Sequence, residues 1–498
     1  MTIALFKERN FANALRAVIA VGILLAIYQY FFNRSLWIDE ASLALNIINK
    51  SFGELLQPLD YRQVAPIGFL YVEKIFVNIF GPSEYALRLF PLLSFLGSVY
   101  LFSKLSRELI GGTLLALAAV AYFSINVRSV YFASEVKQYS TEVLMCIAII
   151  LSALKLAPED KKSLLLFAAV GSISIWFSSA AVIVLFVSGL YVLYKYVWTG
   201  RNWRVILPVV CWVVSFVAYY FLFIYHHAHT DYMHTWWSRW FFPWGTDFNK
   251  IYNFFHSGLL SIFSFHPRRY YVWVFPACVA LLGLTYLIVE RRYKELYFIV
   301  MPGFVHLILS SLRLYPFAER LMLYLMPLTI LLYTCGLFYL WRIVNEKIVK
   351  LPLGVILGVV VLGFVPWLVT YPLERQEMRS SIAMISEKIE DGDNVYVFGG
   401  GKRSFQYYHE RDALLAGHHI VVAKNYIVNV EASAPELVSL TGNTWLVFAF
   451  HKGTKRGEIL HPGPMIDWLV ADGYSILSEQ NYTGSRVYKI RKNVAESN

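Results

Sequence analysis

Two acids, Asp39 and Glu40, stand side by side directly after the first long apolar run, within Ser35-Leu36-Trp37-Ile38-Asp39-Glu40-Ala41-Ser42. A carboxylate that faces lipid is costly, so paired carboxylates at a membrane boundary point to function. The spacing also allows a plainer role, in which Asp39 caps a helix over residues 40–50. Glu135 and Lys137 precede a later apolar run, and Arg320 lies at the start of another. For Glu135 the plain alternative is an ion pair with Lys137 or Arg128; for the two cations it is snorkelling to headgroups. His226, His227, His229 and His234 could bind Zn²⁺, but their spacing fits no strict ligand pattern. Gly399-Gly400-Gly401 follows a strand-like run yet is not a Gly-x-Gly-x-x-Gly fingerprint.

The elements that must position these groups are set by hydropathy. The 498-residue chain is 57% hydrophobic and 15% charged, against about 25% charged in ordinary soluble domains. A bilayer explains the missing charge. Apolar runs long enough to span predict about eleven transmembrane helices near 11–32, 84–105, 111–127, 138–157, 163–178, 180–198, 205–225, 271–289, 295–312, 321–341 and 351–370. Phe11–Phe32 lacks a small-residue cleavage site and reads as the first span, not a signal peptide. The apolar stretch Ser163–Trp198 is too long for one span and is split at Phe177-Ser178-Ser179. The four cysteines fall in apolar stretches and suggest neither disulfides nor a cysteine metal site.

One set of short loops holds 17 basic against 7 acidic residues, and the opposite set holds 13 and 11. Basic loops face the cytoplasm, which puts the N-terminus inside and the outer loops and tail on the exoplasmic side. The net charge of +11 is thus a topology signal, not a nucleic-acid footprint. Ala65–Phe80 is too short to span comfortably and reads as an interfacial helix. The aromatic segment 226–270 suits the headgroup level.

The fold class expected is therefore a polytopic α-helical membrane protein with exoplasmic juxtamembrane helices and a small C-terminal α/β soluble domain. A transmembrane part is expected over 1–370 and an exoplasmic one over 371–498. In the tail, helical periodicity over Glu374–Glu390 and near Met465–Asp472 alternates with strand-like runs at Asn394–Phe398, Ile420–Ala423, Thr444–Phe450 and Ser485–Ile490. Nothing in it reads as catalytic; it supports or covers the membrane part.

Taken together, the acid pair, interfacial helix, many spans and exoplasmic tail resemble the GT-C glycosyltransferases over essentially the whole chain. Relatives include the protein O-mannosyltransferases, the lipid A aminoarabinose transferase and a large group of bacterial transferases. The local patterns that match the last group are Trp37-x-Asp39-Glu40, Pro58-Leu59-x-x-x-Gln63-x-Ala65-Pro66 and Glu84-x-x-x-Arg88. Glu135-x-Lys137-x-Tyr139-Ser140 and Tyr315-Pro316-Phe317-x-x-Arg320-x-x-Leu323 are the more specific ones. The resemblance implies transfer of a sugar from a polyprenyl-phosphate donor to a glycan, lipid or protein acceptor, usually with inversion; the basic-inside pattern and lack of disulfides fit a bacterial inner membrane. It implies Asp39 as base with Glu40 supporting, and Glu135 orienting the acceptor or helping to hold a cation. Lys137 and Arg320, with Tyr315 a weaker candidate, would meet the lipid phosphate at the outer boundary; Arg62, Gln63 and Tyr139 complete the donor site. Some such enzymes use a divalent cation and others none, which these residues leave open. Two positions depart from the pattern: Val64-Ala65-Pro66 stands where better-known relatives have Lys-Pro-Pro, with Lys137 or Arg62 as the substitute, and Gln138 stands where proline is common. The competing readings are an O-antigen ligase or polymerase-like enzyme, and a transporter or lipid-binding sensor.

Overall fold

The computed structural model describes residues 2–111, 113–227, 235–245, 247–263, 274–343, 374–425, 428–449 and 461–493. Its larger part is helical: α1 Thr2–Phe32, α2 Ile38–Asn49, α3 Ile67–Phe80, α4 Glu84–Ile110, α5 Thr113–Ile125, α6 Val127–Phe132 and α7 Tyr139–Leu154. The series continues with α8 Lys161–Phe177, α9 Ala181–Val192, α10 Ile206–Tyr219, α11 Phe248–Phe263, α12 Val274–Val289, α13 Tyr293–Ser311 and α14 Met326–Ile343. Among the described residues five helical stretches are long and apolar enough to cross a membrane: Arg9–Phe32, Glu84–Ile110, Ala181–Trp198, Trp203–Ile224 and Glu319–Ile343. Ten of the eleven apolar runs coincide with helices, and the eleventh, 351–370, lies outside the described residues.

Packing between these helices relies on close backbone approach, since lipid supplies no hydrophobic drive. A Cβ on Gly283 of α12 would sit 2.0 Å from the Leu332 carbonyl oxygen, and one on Gly336 of α14 would sit 1.8 Å from that of Val279. The long apolar stretch breaks as its length requires, with α8 ending at Phe177 and α9 starting at Ala181.

The tail folds around one five-stranded sheet of order β2-β1-β3-β5-β4, comprising β1 Asn394–Val397, β2 His419–Val422, β3 Asn443–Ala449, β4 Tyr474–Tyr482 and β5 Ser485–Lys492. β1 pairs in parallel with β2 and β3, with Asn394 opposite both His419 and Thr444. β5 runs antiparallel to β3 and β4, with Leu446 opposite Tyr488. β1 and β3 are buried along their whole length, as expected of parallel strands covered on both faces. The covering helices are α15 Met378–Lys388, α16 Lys402–Asp412, α17 Val430–Val438 and α18 Gly463–Ala471. A Cβ on Gly401 would meet the Met378 methyl at 2.7 Å, so a larger residue there would have to displace the end of that side chain.

Side chains of the tail hold the chain that leads into α2. Ser35 donates to Glu377 through its amide at 3.2 Å and its hydroxyl at 3.0 Å. The Leu36 amide donates to the Tyr408 hydroxyl at 2.7 Å, and the Ile38 amide to Gln376 Oε1 at 2.8 Å. The first amides of a helix have no internal acceptors, and here the tail supplies one to Ile38. The same face carries Glu84 of α4, ion-paired with Arg379 at 3.0 Å and with Arg411.

Candidate active site at the mouth of the helical bundle

Asp39 lies in the first turn of α2, whose N-cap is Trp37, so Asp39 does not cap the helix. Adjacent helical residues point about 100° apart, and that angle separates the two acids. The Asp39 side chain is 21% exposed and faces a cavity, whereas Glu40 turns inward and is fully buried.

Asp39 accepts from Arg320, lies 3.2 Å from Lys137 Nζ, and accepts from Gln63 Nε2 at 3.3 Å. Lys137 also donates to Gln63 Oε1 at 2.7 Å. Burial alone would raise the Asp39 pKa, but Lys137 and Arg320 hold the carboxyl well below the ordinary carboxylate range. Lys137 is thereby tied to the loop that carries Gln63.

Glu40 accepts from Arg88 at 3.0 and 3.1 Å, lies 3.9 Å from Arg34, and accepts the Val136 amide at 2.9 Å. It therefore clamps α4 to the loop that carries Glu135 and Lys137. It does not reach the cavity, a correction to its expected place beside Asp39. Glu135 is also buried outside the cavity lining. It accepts from the Trp37 indole at 2.9 Å and the Tyr131 hydroxyl at 3.1 Å. Neither alternative partner holds it, for Lys137 pairs with Asp39 and Arg128 with Glu319 at 2.8 Å. Burial pushes the Glu135 carboxyl up in pKa, opposed by the nearby guanidinium of Arg375. Arg375 comes from the tail and stacks over the Trp37 ring at 4.4 Å and the Tyr131 ring at 4.7 Å. It was missed in the sequence; its signal is the charged run Glu374-Arg375-Gln376-Glu377 just after the last apolar stretch.

The cavity measures about 1330 Å³ and is lined by Asp39, Arg62, Gln63, Lys137, Tyr139, Tyr315 and Arg320 together. Thus seven of the nine candidate residues meet there, and Glu40 and Glu135 stand behind them. Its apolar wall includes Ile175, Val182, Phe216, Tyr219, Phe223, Trp236, Trp237, Leu309 and Leu321, and the α8–α9 break opens onto it through Ser178 and Ser179. The tail contributes Gly399, Lys402, Arg403, Ala423, Lys424 and Asn425, so it adds side chains to the site as well as covering it. Among the described residues no cluster of His, Cys, Asp or Glu could hold a metal ion; His229 and His234 lie outside them.

Fold and composition define an integral membrane protein, a helical bundle with an acid-bearing cavity bordered by loops of a C-terminal sheet. The crystal structure of ArnT from Cupriavidus metallidurans in the apo state shares the fold with a TM-score of 0.52 at 12% identity, over 96% of this chain and 98% of that one. The structure of the same protein bound to undecaprenyl phosphate gives 0.51 at 13% identity, over 96% and 98%. The arabinofuranosyltransferase AftD from Mycobacteria overlaps 97% of this chain and 40% of its own, with a TM-score of 0.41 at 11% identity. No protein-family model and no curated protein matches the sequence.

Proposed function

We propose that the protein is a glycosyltransferase that moves a sugar from a polyprenyl-phosphate donor to an acceptor hydroxyl or amide on the exoplasmic side, with inversion. The observation that carries this reading is one carboxylate, Asp39, held by two cations and an amide at the wall of a cavity lined by both charged and apolar side chains. An amphipathic lipid donor has the same two characters. The ArnT fold, solved with undecaprenyl phosphate in that protein, supports it.

In this reading eleven spans in residues 1–370 form the catalytic part, residues 371–498 form an exoplasmic one, and the N-terminus is cytoplasmic in a bacterial inner membrane. The donor phosphate binds Arg320 and Lys137, with Arg62, Tyr139 and Tyr315 around it. Arg presents a fork that fits phosphate oxygens. As the phosphate draws these cations away, Asp39 loses the partners that keep it weakly basic and becomes able to accept a proton. The acceptor nucleophile then attacks the sugar C1 from the face opposite the phosphate, its proton passes to Asp39, and the C1–O bond breaks. The electron pair leaves with the polyprenyl phosphate, whose charge Arg320 and Lys137 stabilise. Gln63 holds Asp39 and Lys137 in register, and Glu40 and Glu135 position the elements behind them.

Arg320→Ala removes a charged donor aimed at the phosphate, an interaction of about 1.5 to 3 kcal/mol. Undecaprenyl phosphate should therefore bind the variant about 10- to 100-fold more weakly in a fluorescence or calorimetric titration of detergent-solubilised protein. Equal affinity would remove Arg320 from the donor site.

A further inference from the structure

The cavity wall has two sources of cations, and the donor reading uses only one. Arg62, Lys137, Arg313 and Arg320 come from the helical part, whereas Lys402, Arg403 and Lys424 come from the tail. The tail residues are not scattered. Gly399, Lys402 and Arg403 follow β1, and Ala423, Lys424 and Asn425 follow β2. Because the strand order is β2-β1-β3, the chain leaves β1 toward one neighbour and returns to pair on its other side. Ligands of open α/β sheets bind in the crevice outside the carboxyl ends of the strands, and the loops after β1 and β2 border that end of this sheet. Here the crevice opens onto the cavity that holds Asp39.

The cations in it are poorly neutralised. Among the described residues Lys402 has no carboxylate in ion-pair contact, and neither has Arg403. Arg403 lies 3.7 Å over the ring of Tyr61 and donates to Gln406 at 3.0 Å. Burial without such a partner pulls its guanidinium below the ordinary arginine range. Lys424 is 90% exposed and only 4.0 Å from its acidic partner, Glu436. Tyr61 belongs to the loop that carries Gln63, so Arg403 packs two residues from the side chain that orients Asp39. A basic crevice on the same cavity as the acid, linked to it through the Tyr61–Gln63 loop, is placed to serve as an acceptor site.

We propose that this crevice binds an anionic group of the acceptor, so that the sugar passes to a saccharide bearing phosphate or carboxylate. The proposal rests on the transferase reading for the word acceptor; the anion site itself does not. Lys402 and Arg403 would grip the anion, and Lys424 would raise its local concentration at the rim. The sugar bearing the anion would then lie between the crevice and Asp39, with its hydroxyl toward the acid.

The test uses full-length protein in phosphatidylcholine nanodiscs, saturated with undecaprenyl phosphate, with glucose 6-phosphate and glucose as probes in calorimetry. Glucose 6-phosphate should bind and glucose should not at the same concentration. The Lys402→Gln/Arg403→Gln variant should lose at least about tenfold in affinity for glucose 6-phosphate, as expected for losing charge-assisted contacts, while its undecaprenyl phosphate affinity stays unchanged. Equal binding of both sugars, or glucose 6-phosphate affinity indifferent to the double variant, would overturn the proposal. Phosphatidylglycerol nanodiscs form the second arm: competition there that abolishes glucose 6-phosphate binding would assign these cations to bilayer headgroups instead. If wild-type protein fails to bind undecaprenyl phosphate, the transferase reading falls, whereas the probe comparison still decides the anion site.

Discussion

Asp39→Asn should lower transfer by about two to four orders of magnitude, the range that a positioned general base contributes. Asparagine keeps the shape and an acceptor oxygen for Arg320 and Lys137 but cannot take a proton. The fold should survive, because Asp39 sits on the cavity wall and its side chain is partly exposed. The decisive readout is the split between steps. Turnover of a radiolabelled undecaprenyl-phosphate sugar in membranes should collapse, while undecaprenyl phosphate binding should hold or tighten, since two cations are freed from a competing carboxylate. Normal turnover by the variant would remove Asp39 as base, whatever its pairing in the ligand-free protein.

Glu40→Gln is expected to act on stability. Glu40 is fully buried against Arg88, itself fully buried, and accepts the Val136 amide. Removing one partner of a buried pair leaves an uncompensated charge and costs about 3 to 5 kcal/mol. The variant should melt well below wild type in detergent and give less protein in membranes. A second variant separates the charge from the anchor. Replacing the pair by apolar residues, Glu40→Leu with Arg88→Met, removes the charge on Arg88 and should recover part of the melting temperature, while buried Arg34, 3.9 Å from Glu40, still loses its carboxylate. It leaves the Val136 amide without its acceptor, so the loop that sets Lys137 against Asp39 loses its fixing point and turnover should stay low. A Glu40→Gln protein as stable as wild type would contradict this account of the clamp.

These two adjacent acids show what the sequence reveals and what it hides. That the two acids after the first apolar run would be engaged by partners was legible, because carboxylates at a membrane boundary are costly unless used or paired, and both are paired. Which of the two faces the cavity was not, since it depends on the helix starting at Ile38 and on the tail amide acceptor that fixes that start. Lys137 and Arg320 were legible as cations at apolar boundaries, and the structure brings both to Asp39. The break at Phe177–Ser179 followed from length alone. By contrast, Arg375, Lys402 and Arg403 reach the site only through tertiary pairing over more than three hundred residues, which no local pattern encodes.

In the tail, four strand-like runs match strands; β1 and β3, buried along their whole length, read as continuous apolar stretches. β4 was missed because Tyr474–Tyr482 is mostly polar and exposed, an edge strand held by β5 alone. The helix α16 was missed for a related reason. Its sequence, Lys-Arg-Ser-Phe-Gln-Tyr-Tyr-His-Glu-Arg-Asp, buries Ser404, Phe405, Tyr407 and Tyr408 against the rest of the protein, and tyrosines in a charged segment give a weak periodic signal. Yet these tyrosines carry the tail's grip on the helical part, through Pro82 and Leu36.

The central claim is that Arg320 and Lys137 receive a lipid phosphate within reach of Asp39. The most direct measurement is cryo-electron microscopy of the purified protein incubated with undecaprenyl phosphate. The account predicts phosphate density between Arg320 and Lys137, with Asp39 released from at least one of them and the lipid chain along Phe216, Tyr219 and Phe223. Lipid density elsewhere, with Asp39 still locked to both cations, would contradict it and favour a sensor or transporter.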